Sequence, residues 1–68
     1  MVKIVLLDNN AIFIENYNNI DYFDDLTIRI ICKGLIIIIT GTNLKLASFN
    51  KLSLKISGII SNIEYINS

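Results

Sequence analysis

The run Leu35-Ile36-Ile37-Ile38-Ile39 narrows what this chain can fold into more than any other feature. It is far too short for a bilayer-spanning helix, which needs roughly 20 apolar residues. Extending it backwards meets Lys33 and then Arg29. The β-branch of isoleucine restricts its rotamers in a helix and suits it to a strand. A strand is therefore the reading, and it is apolar on both faces. Leu35, Ile37 and Ile39 form one side, and Ile36 and Ile38 the other. Such a strand requires cover on both.

The flanking sequence alternates with period two. In "LTIRIICK", Leu26, Ile28, Ile30 and Cys32 oppose Thr27, Arg29, Ile31 and Lys33. Leu44 and Leu46 oppose Lys45 and Ala47, and Leu52, Leu54 and Ile56 oppose Ser53, Lys55 and Ser57. "VKIVLL" and "AIFIENY" are less regular versions. Turn residues separate the runs at 8–10, 16–19, 24–25, 33–34, 41–43, 50–51 and 57–58. Asn, Asp and Gly tolerate a left-handed backbone or bond their own main chain, which gives each turn a mechanism.

The spacing predicts an all-β domain, an antiparallel meander of seven or eight short strands in a sandwich or barrel. A short β-solenoid is the alternative, although no fixed-period repeat stands out. "SNIE", Ser61 to Glu64, fits a helix capping box, but too few residues follow it. The reading there is a last strand with an irregularity near Ser61. The expected core is Leu26, Ile28, Ile30, Leu35, Ile37, Ile39, Leu44, Leu46, Leu52, Leu54 and Ile56.

A chain of 68 residues makes one small domain, 1–68, with a limited share of its surface to bury. Cys32 is the only cysteine, so no internal disulfide staples it, and no histidine is present. Six basic and six acidic residues cancel, leaving no strong field to recruit nucleic acid or anionic lipid. The 53% hydrophobic content favours a packed core over disorder. "MVKIVLLD" is cut short by Asp8 and does not read as an export signal.

No constellation carries catalytic chemistry, and no cofactor or metal is expected. Asp21, Asp24 and Asp25 lie near Glu15 but lack the regular oxygen-ligand spacing of a calcium loop, so a solvated turn is the plainer reading. "TGTN", Thr40 to Asn43, has a single glycine and reads as a hairpin turn rather than a phosphate cradle. Cys32 lies on an apolar face, as a small hydrophobe does. Arg29, Lys33, Lys45, Lys51 and Lys55 alternate with core residues as on any solvated sheet face. The spread aromatics Phe13, Tyr17, Tyr22, Phe23, Phe49 and Tyr65 favour packing over a base-stacking platform. Ile31, Ile36 and Ile38 form a candidate interface, which Phe13 or Val5 would enlarge.

"IENY" (Ile14 to Tyr17), "NNIDYFDD" (Asn18 to Asp25), "LTIRIICKGLIIIITGTNLKL" (Leu26 to Leu46) and "LSLKISGIISNIEY" (Leu52 to Tyr65), in this order, resemble the YabP/YqfC family of sporulation proteins. "IEN" looks closer to the YqfC branch. The chain departs from the family pattern at Asn18 and Asn19, where a basic residue and a glycine are common. It departs again at Ser57, Gly58 and Ile59, where Glu-Gly-Arg is usual, and in a short or absent N-terminal extension. The resemblance implies a non-enzymatic structural or interaction protein made during endospore formation in a Firmicutes-type bacterium. The YabP branch is associated with the spore coat. The YqfC branch works alongside a membrane protein of the YqfD type.

The expected partners are therefore a second copy, a YqfD-like membrane protein, or both. The expected location is cytoplasmic, peripheral to the forespore membrane, without a span of its own. The alternative is a small nucleic-acid- or ligand-binding β-barrel.

Overall fold

The computed structural model describes residues 2–67. Six strands form: β1 (Lys3–Leu7), β2 (Ala11–Glu15), β3 (Asn19–Phe23), β4 (Thr27–Cys32), β5 (Leu35–Phe49) and β6 (Ser53–Asn67). There is no helix among the described residues. All pairings are antiparallel, in one sheet of order β1-β2-β6-β5-β4-β3. The end strands β1 and β3 do not pair with each other, so the sheet is open and not a closed barrel. The fold is all-β as expected, but with six strands rather than seven or eight.

The difference lies at two places where the sequence reads as a turn. Thr40 to Asn43 is not a hairpin turn but the middle of β5, and Ser57-Gly58 is the middle of β6. Fifteen residues in a straight strand would run about 50 Å at ~3.3 Å per residue. The longest dimension of the molecule is 27 Å, so both strands bend. Bulges mark the bends. Thr40 pairs with Asn62 and Gly41 with Ile60, which leaves Ser61 unopposed, where the sequence placed an irregularity. Further shifts fall between Thr42 and Lys45 and between Leu46 and Ser48.

Close backbone approach explains the glycines at these bends. A Cβ on Gly41 would collide with the Ile59 carbonyl. One on Gly58, whose φ is +131°, would stand 2.6 Å from the Asn43 oxygen. Backbone bonds tie each bend to the turn beside it. Asp25 and Leu26 carbonyls accept from Leu44 and Gly41 N–H, and Asn9 and Asn10 carbonyls accept from Ile60 and Gly58 N–H.

The bends divide the sheet into two half-sheets that share β5 and β6. One contains β3, β4, the first part of β5 and the last part of β6. The other contains β1, β2, the first part of β6 and the last part of β5. Ile12, Ile14, Ile28, Ile30, Ile37, Ile39 and Ile56 are all 0% exposed, in one cluster with Cys32, Leu44, Leu54 and Ile60. No second sheet or helix among the described residues covers them. The inner faces of both half-sheets contribute to this one cluster. At about 2 kcal/mol per buried isoleucine, this single cluster is the main stabilising feature.

Two expected core residues neither belong to it nor pack against it. Leu26 and Leu52 are 53% and 67% exposed. Each precedes its strand, inside a turn held by side-chain bonds. Asp24 Oδ1 accepts from the N–H groups of Leu26 and Thr27 at 2.8 and 2.7 Å. Asn50 Oδ1 accepts from those of Leu52 and Ser53 at 2.8 and 3.0 Å. Leu35 and Leu46 pack partly buried against the cluster.

These twin turns belong to an internal repetition. "FDDLTIRI", Phe23 to Ile30, and "FNKLSLKI", Phe49 to Ile56, match in residue character except at the third place, where Asp25 stands against Lys51. Their pairings match as well. Phe23 opposes Ile28 and Tyr22 opposes Arg29, then Asp21 is skipped before Ile20 opposes Ile30. Phe49 opposes Leu54 and Ser48 opposes Lys55, then Ala47 is skipped before Leu46 opposes Ile56. One bulged hairpin is thus used twice.

Candidate interaction face

The outer face of the first half-sheet follows from strand parity. Ile28, Ile30 and Cys32 point inward on β4, so Thr27, Arg29 and Ile31 point outward. On β5, Ile37 and Ile39 point inward and Ile36, Ile38 and Thr40 outward. On β6, Ile63 packs on the core, so Asn62, Glu64 and Ile66 point outward.

Register aligns these side chains into rows across the strands. Asn19, Ile31, Ile36 and Ile66 form one row. Tyr22, Arg29, Ile38 and Glu64 form the next. Opposed side chains in antiparallel strands stand about 5 Å apart and touch. Ile31, Ile36 and Ile38 are half-buried by such neighbours, and Ile66 is 39% exposed. The three residues singled out by sequence are therefore brought together on one face, joined by Ile66. That residue was not foreseen, because the register of β5 on β6 is set by the bulges.

Val5 and Phe13 do not enlarge this patch. They lie in a row with Lys55 on the outer face of the other half-sheet, where the Lys55 ammonium sits 5.6 Å from the Phe13 ring centroid. A shallow depression there is lined by Val5, Phe13, Glu15 and Ser53. Lys45 also lies in that half, so of Arg29, Lys45 and Lys55 only Arg29 stands beside Ile38.

The acidic residues disperse into separate structural tasks. Arg29 Nη1 stands 3.6 Å from Asp21 Oδ2, and Lys3 Nζ 3.9 Å from Glu15 Oε1. The Tyr22 hydroxyl donates to Asp24 Oδ2 at 2.6 Å. That bond, with the N–H groups of Leu26 and Thr27, holds the Asp24 carboxyl below the usual carboxylate range. The same bond raises Tyr22 above its ordinary value. Glu64 has no ion-pair partner among the described residues. No group of three His, Cys, Asp or Glu side chains among them converges as a metal ion would require. Cys32 is 2% exposed, and burial pushes its thiol up, against a smaller opposing effect of the Asn18 backbone.

No described helix is long and apolar enough to cross a membrane, a statement that does not extend to strands. Neither the curated proteins nor the solved structures contain a match to this chain. The family model described as "YabP family" matches residues 1–68, its whole length, without separating the YqfC branch. The chain belongs to the YabP family.

Proposed function

We propose that this protein is a non-enzymatic interaction protein of endospore formation that holds another protein through the outer face of β4, β5 and β6. Family membership supports the sporulation context. The "IEN" at Ile14 to Asn16 favours a role of the YqfC type, beside a membrane protein and peripheral to the forespore membrane. The observation that carries the reading is the unbroken apolar row Ile31–Ile36–Ile66, with Ile38 beside it, on the surface of a domain whose core is already complete. A polar sheet face would cost a solitary domain nothing, and contiguous apolar surface marks an interaction site. The split of basic residues between two faces weighs against a nucleic-acid surface.

Replacing Ile36 and Ile38 by Thr in the producing bacterium tests this function. The expected result is a sharp fall in heat-resistant spores while the variant accumulates to its normal level. Normal sporulation with the variant protein would refute the role of this face.

A further inference from the structure

Charges placed beside the apolar row indicate what covers it. Arg29 and Glu64 lie one strand to either side of Ile38, in the same row and on the same face. Strands are about 4.8 Å apart, so the two charges sit at nearly equal distances from β5. Both are exposed, and they are opposite in sign.

We infer that the outer face pairs with the same face of a second copy about a two-fold axis running along β5, with Arg29 of each copy against Glu64 of the other. This rests on the proposed use of the face and names its occupant. Rotation about β5 preserves each row and exchanges the two sides, so β4 of one copy lies over β6 of the other. Ile38 then meets Ile38, Ile36 meets Ile36, and Ile31 meets Ile66. Both charge pairs form at once, as an isologous contact requires. The other in-plane two-fold through Ile38, across the strands, puts Arg29 on Arg29 and Glu64 on Glu64. Like charges in those positions repel.

Aligned sheets pack about 10 Å apart and rotated by about 30°. At one strand's distance from the axis that rotation offsets the partners by only about 2.5 Å, which long Arg and Glu side chains span. Arg29 already lies beside Asp21, and its five N–H donors allow it to serve both carboxylates. Glu64, without an ion-pair partner among the described residues, gains one.

Sedimentation velocity of the native chain, Arg29→Glu, Glu64→Arg and an equimolar mixture of the two variants tests the inference, with circular dichroism confirming the β fold of each. The native chain is expected to dimerise, more weakly at high salt. Either reversal alone should weaken association at least about tenfold, because it creates two like-charge contacts per dimer. The mixture should recover a heterodimer, since the two introduced charges then face each other with opposite signs. The unchanged Glu64 of one variant likewise faces the unchanged Arg29 of the other. A native chain that stays monomeric overturns the second copy as occupant. A native dimer split by Ile36→Thr with Ile38→Thr but indifferent to both charge reversals overturns the axis along β5, yet leaves the face a contact surface. Failure of the face itself reads out separately, in the spore count.

Discussion

Asp24 and Asn50 perform the same task 26 positions apart, each closing the turn that feeds an inward-facing strand. Each also engages a tyrosine. The Tyr22 hydroxyl donates to the Asp24 carboxylate, and the Tyr17 hydroxyl to the Asn50 carbonyl, both at 2.6 Å. Removing the Asn50 acceptor by Asn50→Ala leaves the N–H groups of Leu52 and Ser53 without it. The expected loss is about 1 kcal/mol, read from urea unfolding. Asn50→Asp, which restores the acceptor found at the equivalent position, should recover most of that stability.

Asp24 adds a dependence on pH that Asn50 lacks. Its carboxyl is held below the ordinary value of 3.8 by Tyr22 first, and by the backbone of Leu26 and Thr27. A depressed folded value means the stabilisation is complete above the unfolded value. It is lost as pH falls through the lower, folded one. Asp24→Asn should therefore flatten the fall in melting temperature below about pH 4, measured by scanning calorimetry across that range. An unchanged acid limb would assign the fall to other carboxylates.

The bends depend on the absence of side chains at two positions. Gly41→Ala drives a methyl group into the Ile59 carbonyl, which belongs to backbone and cannot rotate away. The expected cost is at least about 2 kcal/mol. Gly34→Ala has open space around it and a φ of +74°, so it incurs backbone strain without a collision. A larger loss at Gly34 than at Gly41, by thermal melting, would refute this explanation of the bends.

Much of the architecture is legible in the alternation of residues 26–33 and 52–57, which places Ile28, Ile30, Leu54 and Ile56 inward. The bends are not, because a strand that folds sharply and a hairpin turn both call for Gly and Asn. Thr40 to Asn43 has the composition of a turn and the structure of a bent strand. Leu26 and Leu52 keep the parity of the strands they precede, yet the Asp24 and Asn50 turns direct them outward. Ile12 and Ile14 are fully buried, but Phe13 between them, 37% exposed on the outer face, makes the run look apolar throughout. On the candidate face, β4 and the start of β5 could be read from parity. Ile66 and Glu64 could not, because skipped residues such as Ser61 set their register.

Neighbouring isoleucines on β4 should separate core from face. Ile30→Ala empties a fully buried position, for an expected loss of about 3 kcal/mol. Ile31→Thr keeps a β-branched residue on the half-buried outer side and should cost the single chain less than about 1 kcal/mol. Denaturant unfolding at low protein concentration makes the comparison without a contribution from association. Equal losses would place Ile31 in the chain's own core.

Whether Ile36 and Ile38 serve contact between molecules or the core of one is decided by sedimentation over a wide concentration range. The native chain and the Ile36→Thr, Ile38→Thr double variant are compared, with circular dichroism of both. The expected outcome is a native assembly that the double variant reduces to a folded monomer with the same β spectrum. A native chain that remains monomeric at the highest concentration, with a double variant that unfolds, would place both isoleucines in the core of the single chain.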